Sequence, residues 1–166
     1  MENKNFIVIL VGVCGTEKSA IGKRVAEKLG VPFFDADKLF SSEERPNAML
    51  LQNGKLEKWL QAIEEFVRVQ SIQRGCVVSC SILKKAHRKR LTANIDCELD
   101  WVFMNDSYEN VANRFEKLGN DAVARTALQS DFEILEAPKK ALTIDMSYSD
   151  EEILTIILKY MARKYG

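Results

Sequence analysis

Phe6-Ile7-Val8-Ile9-Leu10-Val11 runs into Gly12-Val13-Cys14-Gly15-Thr16-Glu17-Lys18-Ser19-Ala20, and then into Ile21-Gly22-Lys23-Arg24-Val25-Ala26-Glu27-Lys28-Leu29. An apolar run of strand length meets a glycine-bearing turn, and the turn opens a helix with a Lys-Ser pair in its first turn. Strand, loop and helix in that order make a phosphate-binding P-loop. Its loop N–H groups and the helix N-terminus face an anion. Gly12, Cys14, Gly15 and Thr16 supply the cradle, Lys18 a point charge, and the Ser19 hydroxyl a ligand for Mg²⁺. The pattern G-x-x-x-x-G-K-[ST] places glycine just before the lysine, and this chain has Glu17 there. A carboxylate ~5 Å from one phosphate charge, at an effective dielectric of ~20, repels it by about 3 kcal/mol. A non-glycine residue also pays for any positive φ the loop requires.

The composition narrows the function. The chain has 166 residues, which suits a single domain spanning 1–166 with a sizeable core. Lys plus Arg and Asp plus Glu are 24 each, so no global basic field invites nucleic acid. The lone His87 excludes a histidine-rich metal site. Cys14, Cys76, Cys80 and Cys97 form no C-x-x-C pair, and Cys76 and Cys80 sit in an apolar run as buried thiols. No apolar run reaches the ~18 residues of a membrane span, and the polar start Met1-Glu2-Asn3-Lys4-Asn5 lacks a signal-peptide core. The expectation is a reduced, cytoplasmic setting without membrane contact.

Five apolar runs read as strands: Phe6–Val11, Pro32–Phe34, Cys76–Cys80, Trp101–Met104 and Ala141–Asp145. They lack clean alternation, as strands buried on both faces do. Helical patterns fall between them at Lys18–Leu29, Lys55–Gln73, Ile82–Leu91, Tyr108–Lys117, Thr126–Leu135 and Ser149–Tyr165, the last opened by the capping box of Ser149 and Glu152. Alternation of this kind predicts an α/β fold with a parallel sheet and right-handed crossovers. Ligands then bind at the carboxyl ends of the strands. Those ends carry the loop after Val11, Asp35-Ala36-Asp37, Ser81-Ile82-Leu83-Lys84 and Asn105-Asp106.

Two of these ends carry chemistry. Asp35 and Asp37 stand at i and i+2 just beyond a strand. Phosphoryl transfer uses one carboxylate near Mg²⁺ and one to orient or deprotonate the acceptor hydroxyl. The structural alternative is Asp37 capping a short helix from Lys38. The stretch from Lys84 to Arg90 packs six cationic or potentially cationic side chains behind a strand end. It reads either as an anion clamp or as a solvated helix face. The strand-end position favours Lys84 for the clamp and leaves Lys85, Lys89 and Arg90 to the surface.

Gly12-Val13-Cys14-Gly15, Pro32-Phe33-Phe34-Asp35-Ala36-Asp37, Trp59-Leu60, Cys80-Ser81-x-Leu83-Lys84-x-x-x-Arg88, Phe132-x-x-Leu135-Glu136-x-Pro138 and Ala141-Leu142-Thr143-Ile144-Asp145 together resemble the bacterial-type gluconokinase family. These are small P-loop sugar-acid kinases related to shikimate and adenylate kinases. The resemblance runs from about Ile7 to Leu158. It implies a three-layer fold with a five-stranded parallel sheet of order 2-3-1-4-5. It also implies ATP and Mg²⁺ as co-substrates, gluconate phosphorylated on its 6-hydroxyl, and admits a homodimer. By matching position, Lys18 would bind the β/γ-phosphates, and Ser19 and Asp35 would attend the metal. Asp37 would face the sugar hydroxyls, Lys84 and Arg88 would hold the sugar acid, and Arg114 would reach the phosphates from the base of a lid at about 118–125. The chain departs from the family at Glu17, at Ala20, in the segment after Asp37, and in the lid, where a family arginine and histidine are replaced. Two readings follow: a sugar-acid kinase, or a kinase fold reused as a ligand sensor or partner-binding module.

Overall fold

The computed structural model describes residues 5–13, 16–39, 54–117, 119 and 122–165. Strand β1 (Phe6–Val11) leads into helix α1 (Lys18–Leu29), followed by β2 (Phe33–Asp35) and a 3₁₀ turn at Ala36–Leu39. Next come α2 (Lys55–Gln73), β3 (Gly75–Cys80), α3 (Lys85–Ala93), β4 (Asp100–Asn105), α4 (Tyr108–Lys117), α5 (Ala122–Ile134), β5 (Leu142–Asp145) and α6 (Asp150–Tyr165). All five strands are parallel, in the order β2-β3-β1-β4-β5. The sheet order implied by the resemblance is the one observed.

Why the first strand is apolar throughout is plain from its two faces. Ile7, Ile9 and Val11 pack with Trp59, Leu60, Ile63 and Val67 of α2 on one side. Val8 and Leu10 pack with Ile21 and Val25 of α1 and with Ile153 and Ile157 of α6 on the other. Each such side chain contributes about 1.5–3 kcal/mol by leaving water, so a polar residue on either face of β1 would be costly. A third cluster, Val13, Leu83, Val111, Phe115 and Leu128, closes the carboxyl end of the sheet. It seats the phosphate loop on α4 and α5. Gly75 is required where β3 begins, because a Cβ there would lie 2.2 Å from the Phe6 carbonyl oxygen at φ +86.

Three expected elements differ. The helix expected at Ile82–Leu91 begins at Lys85. Residues Ser81 to Lys84 stay non-helical because the carbonyls of Ile82 and Leu83 are taken by Arg88 and Lys84 is extended at φ −88, ψ 134. The helix expected at Thr126–Leu135 begins four residues earlier, at Ala122. Asp37 lies within a 3₁₀ turn and does not cap a helix at Lys38. Of the lid, Leu118, Asn120 and Asp121 fall outside the described residues. So do 40–53, which hold most of the segment where the chain departs from the family after Asp37. Arg125 at the start of α5 pairs with Glu116 near the end of α4, tying the two arms across the lid segment. Among the described residues no helix is long and apolar enough to cross a membrane.

Candidate active site

The backbone at the substituted position is left-handed. Glu17 sits at φ 58, ψ 27 and is the one described non-glycine residue with positive φ. That conformation costs an L-residue with a Cβ about 1 kcal/mol. The Glu17 side chain is exposed, while its carbonyl accepts the first helical hydrogen bond from Ile21 N at 3.1 Å. At the other end of the loop, a Cβ on Gly12 would lie 2.9 Å from Thr16 Oγ1 and 3.0 Å from the Met104 carbonyl. The chain approaches β4 too closely there for any side chain. Cys14 and Gly15 lie outside the described residues.

Two donors converge on one carbonyl inside this loop. Thr16 Oγ1 donates to Val13 O at 2.8 Å, and Lys18 Nζ donates to the same oxygen at 2.9 Å. Lys18 is only 6% exposed. Its described partner is a loop carbonyl and not the Glu17 carboxylate, so the loop holds Lys18 on its own backbone. An anion in the loop would replace the Val13 carbonyl as Lys18's partner. Ser19, one residue on, is half-buried in the first turn of α1, which carries no acidic residue.

The two aspartates have distinct jobs. Asp35 ends β2, opposite Ser79 in the ladder, and its Oδ1 accepts the Asp37 N–H at 3.1 Å. That bond folds the chain into the 3₁₀ turn and turns the second carboxylate toward β3. There Asp37 accepts the Ser81 N–H at 2.9 Å on one oxygen and the Ser81 hydroxyl at 2.7 Å on the other. Burial pushes the Asp37 carboxyl above its ordinary value, against the Lys18 charge and the Ser81 hydrogen bonds, which pull it down. Asp35 adds to the upward push. Each carboxylate oxygen has a second lone pair, so Asp37 retains the capacity to accept a further proton. A fixed carboxylate with a raised pKa beside a cation is the arrangement that removes a proton from an incoming hydroxyl.

The basic stretch after β3 divides into separate roles. Lys84 is half-buried at the N-terminal boundary of α3, at the strand ends. Arg88 is buried, and its guanidinium donates to Ile82 O at 3.0 Å, Leu83 O at 2.8 Å and Glu136 O at 2.5 Å. In this state it braces the loop that carries Ser81, and three of its five N–H donors face backbone carbonyls. Arg90 pairs with Glu57 of α2 on the surface. Arg114 donates to Asp106 Oδ2 at 2.8 Å, and the Asp106 side chain is 2% exposed. The same carboxylate accepts the Ser107 N–H and the Asn110 amide, which fixes the start of α4 and the bearing of Arg114 together.

Sequence reasoning missed Ser81 as the clasp on Asp37 and Asp106 as the anchor of Arg114. The available signal was positional: polar residues directly beyond strands whose other members are apolar. Among the described residues no group of three or more His, Cys, Asp or Glu side chains is placed to hold a metal ion. A divalent ion here would rely on one hydroxyl, one carboxylate and the oxygens of its substrate, the habit of Mg²⁺ at phosphates.

The shikimate kinase family model matches residues 14–154. A gluconokinase of Arabidopsis thaliana is 29% identical over 94% of this chain and 92% of its own length. The thermoresistant gluconokinase of Escherichia coli K12 is 26% identical over 80% of this chain and 77% of its own. A crystal structure of a gluconokinase from Sinorhizobium meliloti 1021 superposes with a TM-score of 0.75 at 25% identity, covering 99% of this chain and 100% of that one. With its P-loop, parallel sheet and strand-end carboxylates arranged as described, the chain belongs to the shikimate kinase family, and the relatives it matches along nearly their whole length are gluconokinases.

Proposed function

We propose that this chain transfers the γ-phosphoryl group of ATP to a hydroxyl of a small sugar acid, with gluconate as the first acceptor to test. The observation that carries the reading is Asp37, fixed by both Ser81 donors within electrostatic reach of the buried Lys18. The full-length likeness to gluconokinases supplies the acceptor class.

Lys18 exchanges the Val13 carbonyl for the β/γ-phosphate oxygens, with the loop from Gly12 to Thr16 and the N-terminus of α1 around the anion. Asp37 accepts the proton of the acceptor hydroxyl as the phosphorus–oxygen bond forms. Lys84 pairs with the acceptor carboxylate at the strand ends, and Arg88 holds the Ser81–Lys84 segment in place. Arg114, steered by Asp106, reaches toward the phosphates. Mg²⁺, with Ser19 and Asp35 as the fitting residues, would neutralise charge on the phosphates. The unit is read as one domain, with a homodimer as its assembly.

A coupled assay for ADP release with gluconate, shikimate and a series of other hydroxy-acids tests this. Turnover is expected to be highest with a linear sugar acid and absent without acceptor. ADP release indifferent to the acceptor, or shikimate preferred, overturns the acceptor assignment. In the sensor reading no acceptor would ever be phosphorylated.

A further inference from the structure

The part of the basic stretch that phosphoryl transfer does not use lines a cavity of its own. This cavity, of about 580 Å³, lies between α3 and the segment that leads from α5 into β5. Lys85 and Lys89 stand on one wall and Lys139 and Lys140 on the other, with Trp101 of β4 also lining it. Arg88 also lines the cavity, while its guanidinium donates to the carbonyls of Ile82, Leu83 and Glu136. One acidic residue, Glu136, lines it too and accepts the Lys85 N–H at 3.2 Å, which leaves the four lysines in excess over a single carboxylate. All four lysines are exposed, and among the described residues none has an ion-pair partner. The whole chain is neutral, so this local excess of cations is not a by-product of composition. The aromatic wall adds a flat apolar surface, which favours a ring lying against it.

We infer that this cavity is a second anion site, separate from the phosphate loop, that takes a small organic phosphate with a flat body. The lysines pair with the phosphate as mobile point charges, and the ring of Trp101 receives the body. The site does not depend on whether the chain turns over, because none of the four lysines has a part in phosphoryl transfer.

The two tryptophans make the test selective. Trp59 is buried and donates to Ala36 O at 2.9 Å, and it does not line the cavity, so its indole signal serves as an internal control for folding. In ¹⁵N-labelled protein, with the peaks assigned by Trp101→Phe, adenosine monophosphate is titrated and compared with inorganic phosphate. The Trp101 indole peak is expected to shift saturably with the nucleotide at millimolar concentration while the Trp59 peak stays in place. Affinity should fall at least tenfold in Lys89→Glu/Lys140→Glu, persist in Lys18→Ala, and be weaker for inorganic phosphate. No saturable shift at Trp101 overturns the proposal. So does a shift abolished by Lys18→Ala and indifferent to the charge reversals, which would place the ligand in the phosphate loop. Inorganic phosphate binding as tightly as the nucleotide overturns the assignment of a flat-bodied ligand.

Discussion

Two carboxylates, Asp100 buried and Asp37 half-buried, stand at opposite ends of the same sheet and are used in opposite ways. Asp100 opens β4 at the amino ends of the strands and is 2% exposed. It is bound by the Lys164 ammonium and the Tyr165 hydroxyl from the last turn of α6, and Lys164 also reaches Glu98 at 2.7 Å. Tyr165 in turn packs edge-on against Phe6, ring centroids 4.6 Å apart. Asp37, at the carboxyl ends, is bound directly by the neutral donors of Ser81, with the Lys18 ammonium held elsewhere, on Val13 O. A buried carboxylate with a cation in contact is spent on holding the chain's end to its core. One held by neutral donors, with the cation left one step away, keeps a raised proton affinity available for chemistry.

The largest effect that tests this contrast is on turnover. Asp37→Asn keeps the shape and loses the base, and phosphoryl transfer should fall by about 10²–10⁴-fold in a steady-state assay. Its stability should move the other way. The carboxyl's pKa is raised on folding, so the native state binds more protons, and its contribution to stability is lost as pH rises through the folded value. Relative to wild type, the variant should therefore gain melting temperature as pH rises through that range. A variant that keeps turnover, or a stability difference that is flat with pH, breaks the assignment.

Asp100→Ala should do the reverse. It leaves Tyr165 without its acceptor and Lys164, which is exposed, with Glu98 alone, and losing hydrogen bonds to a buried carboxylate of this kind costs about 1–3 kcal/mol. Urea denaturation should show that loss, while the Michaelis constant for ATP of the folded fraction stays unchanged. Equal stability would mean that the clasp at the base of the sheet holds nothing.

Next in size is Glu17→Gly. It removes the carboxylate from the mouth of the phosphate loop and relieves the φ of 58. ATP–Mg²⁺ binding measured by calorimetry should tighten about tenfold, or about 1.4 kcal/mol. That is less than the bare repulsion because the side chain is exposed and screened. Glu17→Gln separates charge from backbone: recovery of most of the gain assigns it to charge, and recovery of little assigns it to the left-handed backbone. A glycine variant no tighter than wild type removes Glu17 from the account of nucleotide binding.

What was legible in the sequence follows the same division. The strands and most helix limits could be anticipated because they rest on local pattern: an apolar run, a capping residue, a glycine after Leu29. The strand order came from the family resemblance and not from any local pattern. The phosphate loop was legible even with Glu17 in it, and Glu17 takes a positive φ of 58 there. Contacts between distant segments were not legible. Arg88 was expected to hold the sugar acid only by matching its position to the resembled family. In the fold it lies beside the carbonyls of Ile82, Leu83 and Glu136, the last 48 residues away. The same bonds delay α3 to Lys85, which no local pattern could have announced. Ser81 holds Asp37 across 44 residues, and a serine after a strand carries no mark of that partnership.

Ser81→Ala sharpens the contrast with the smallest effect. It deletes the hydroxyl donor and leaves the Ser81 N–H on Asp37. Since both bonds lower the carboxyl's pKa, the variant's pKa should lie higher still, and the acid limb of kcat/KM should move to higher pH with turnover on the plateau reduced only several-fold. A limb that stays in place, or moves to lower pH, would show that Asp37 is not the group whose ionisation controls the rate.

The most direct measurement is a single turnover with enzyme in excess over ATP labelled at the γ-phosphate, mixed with gluconate and quenched over time. The account predicts that label passes to the sugar acid in wild type, and that Asp37→Asn binds the same ATP but passes label far more slowly. ATP bound and released intact by wild type, or label appearing only as inorganic phosphate, would contradict it.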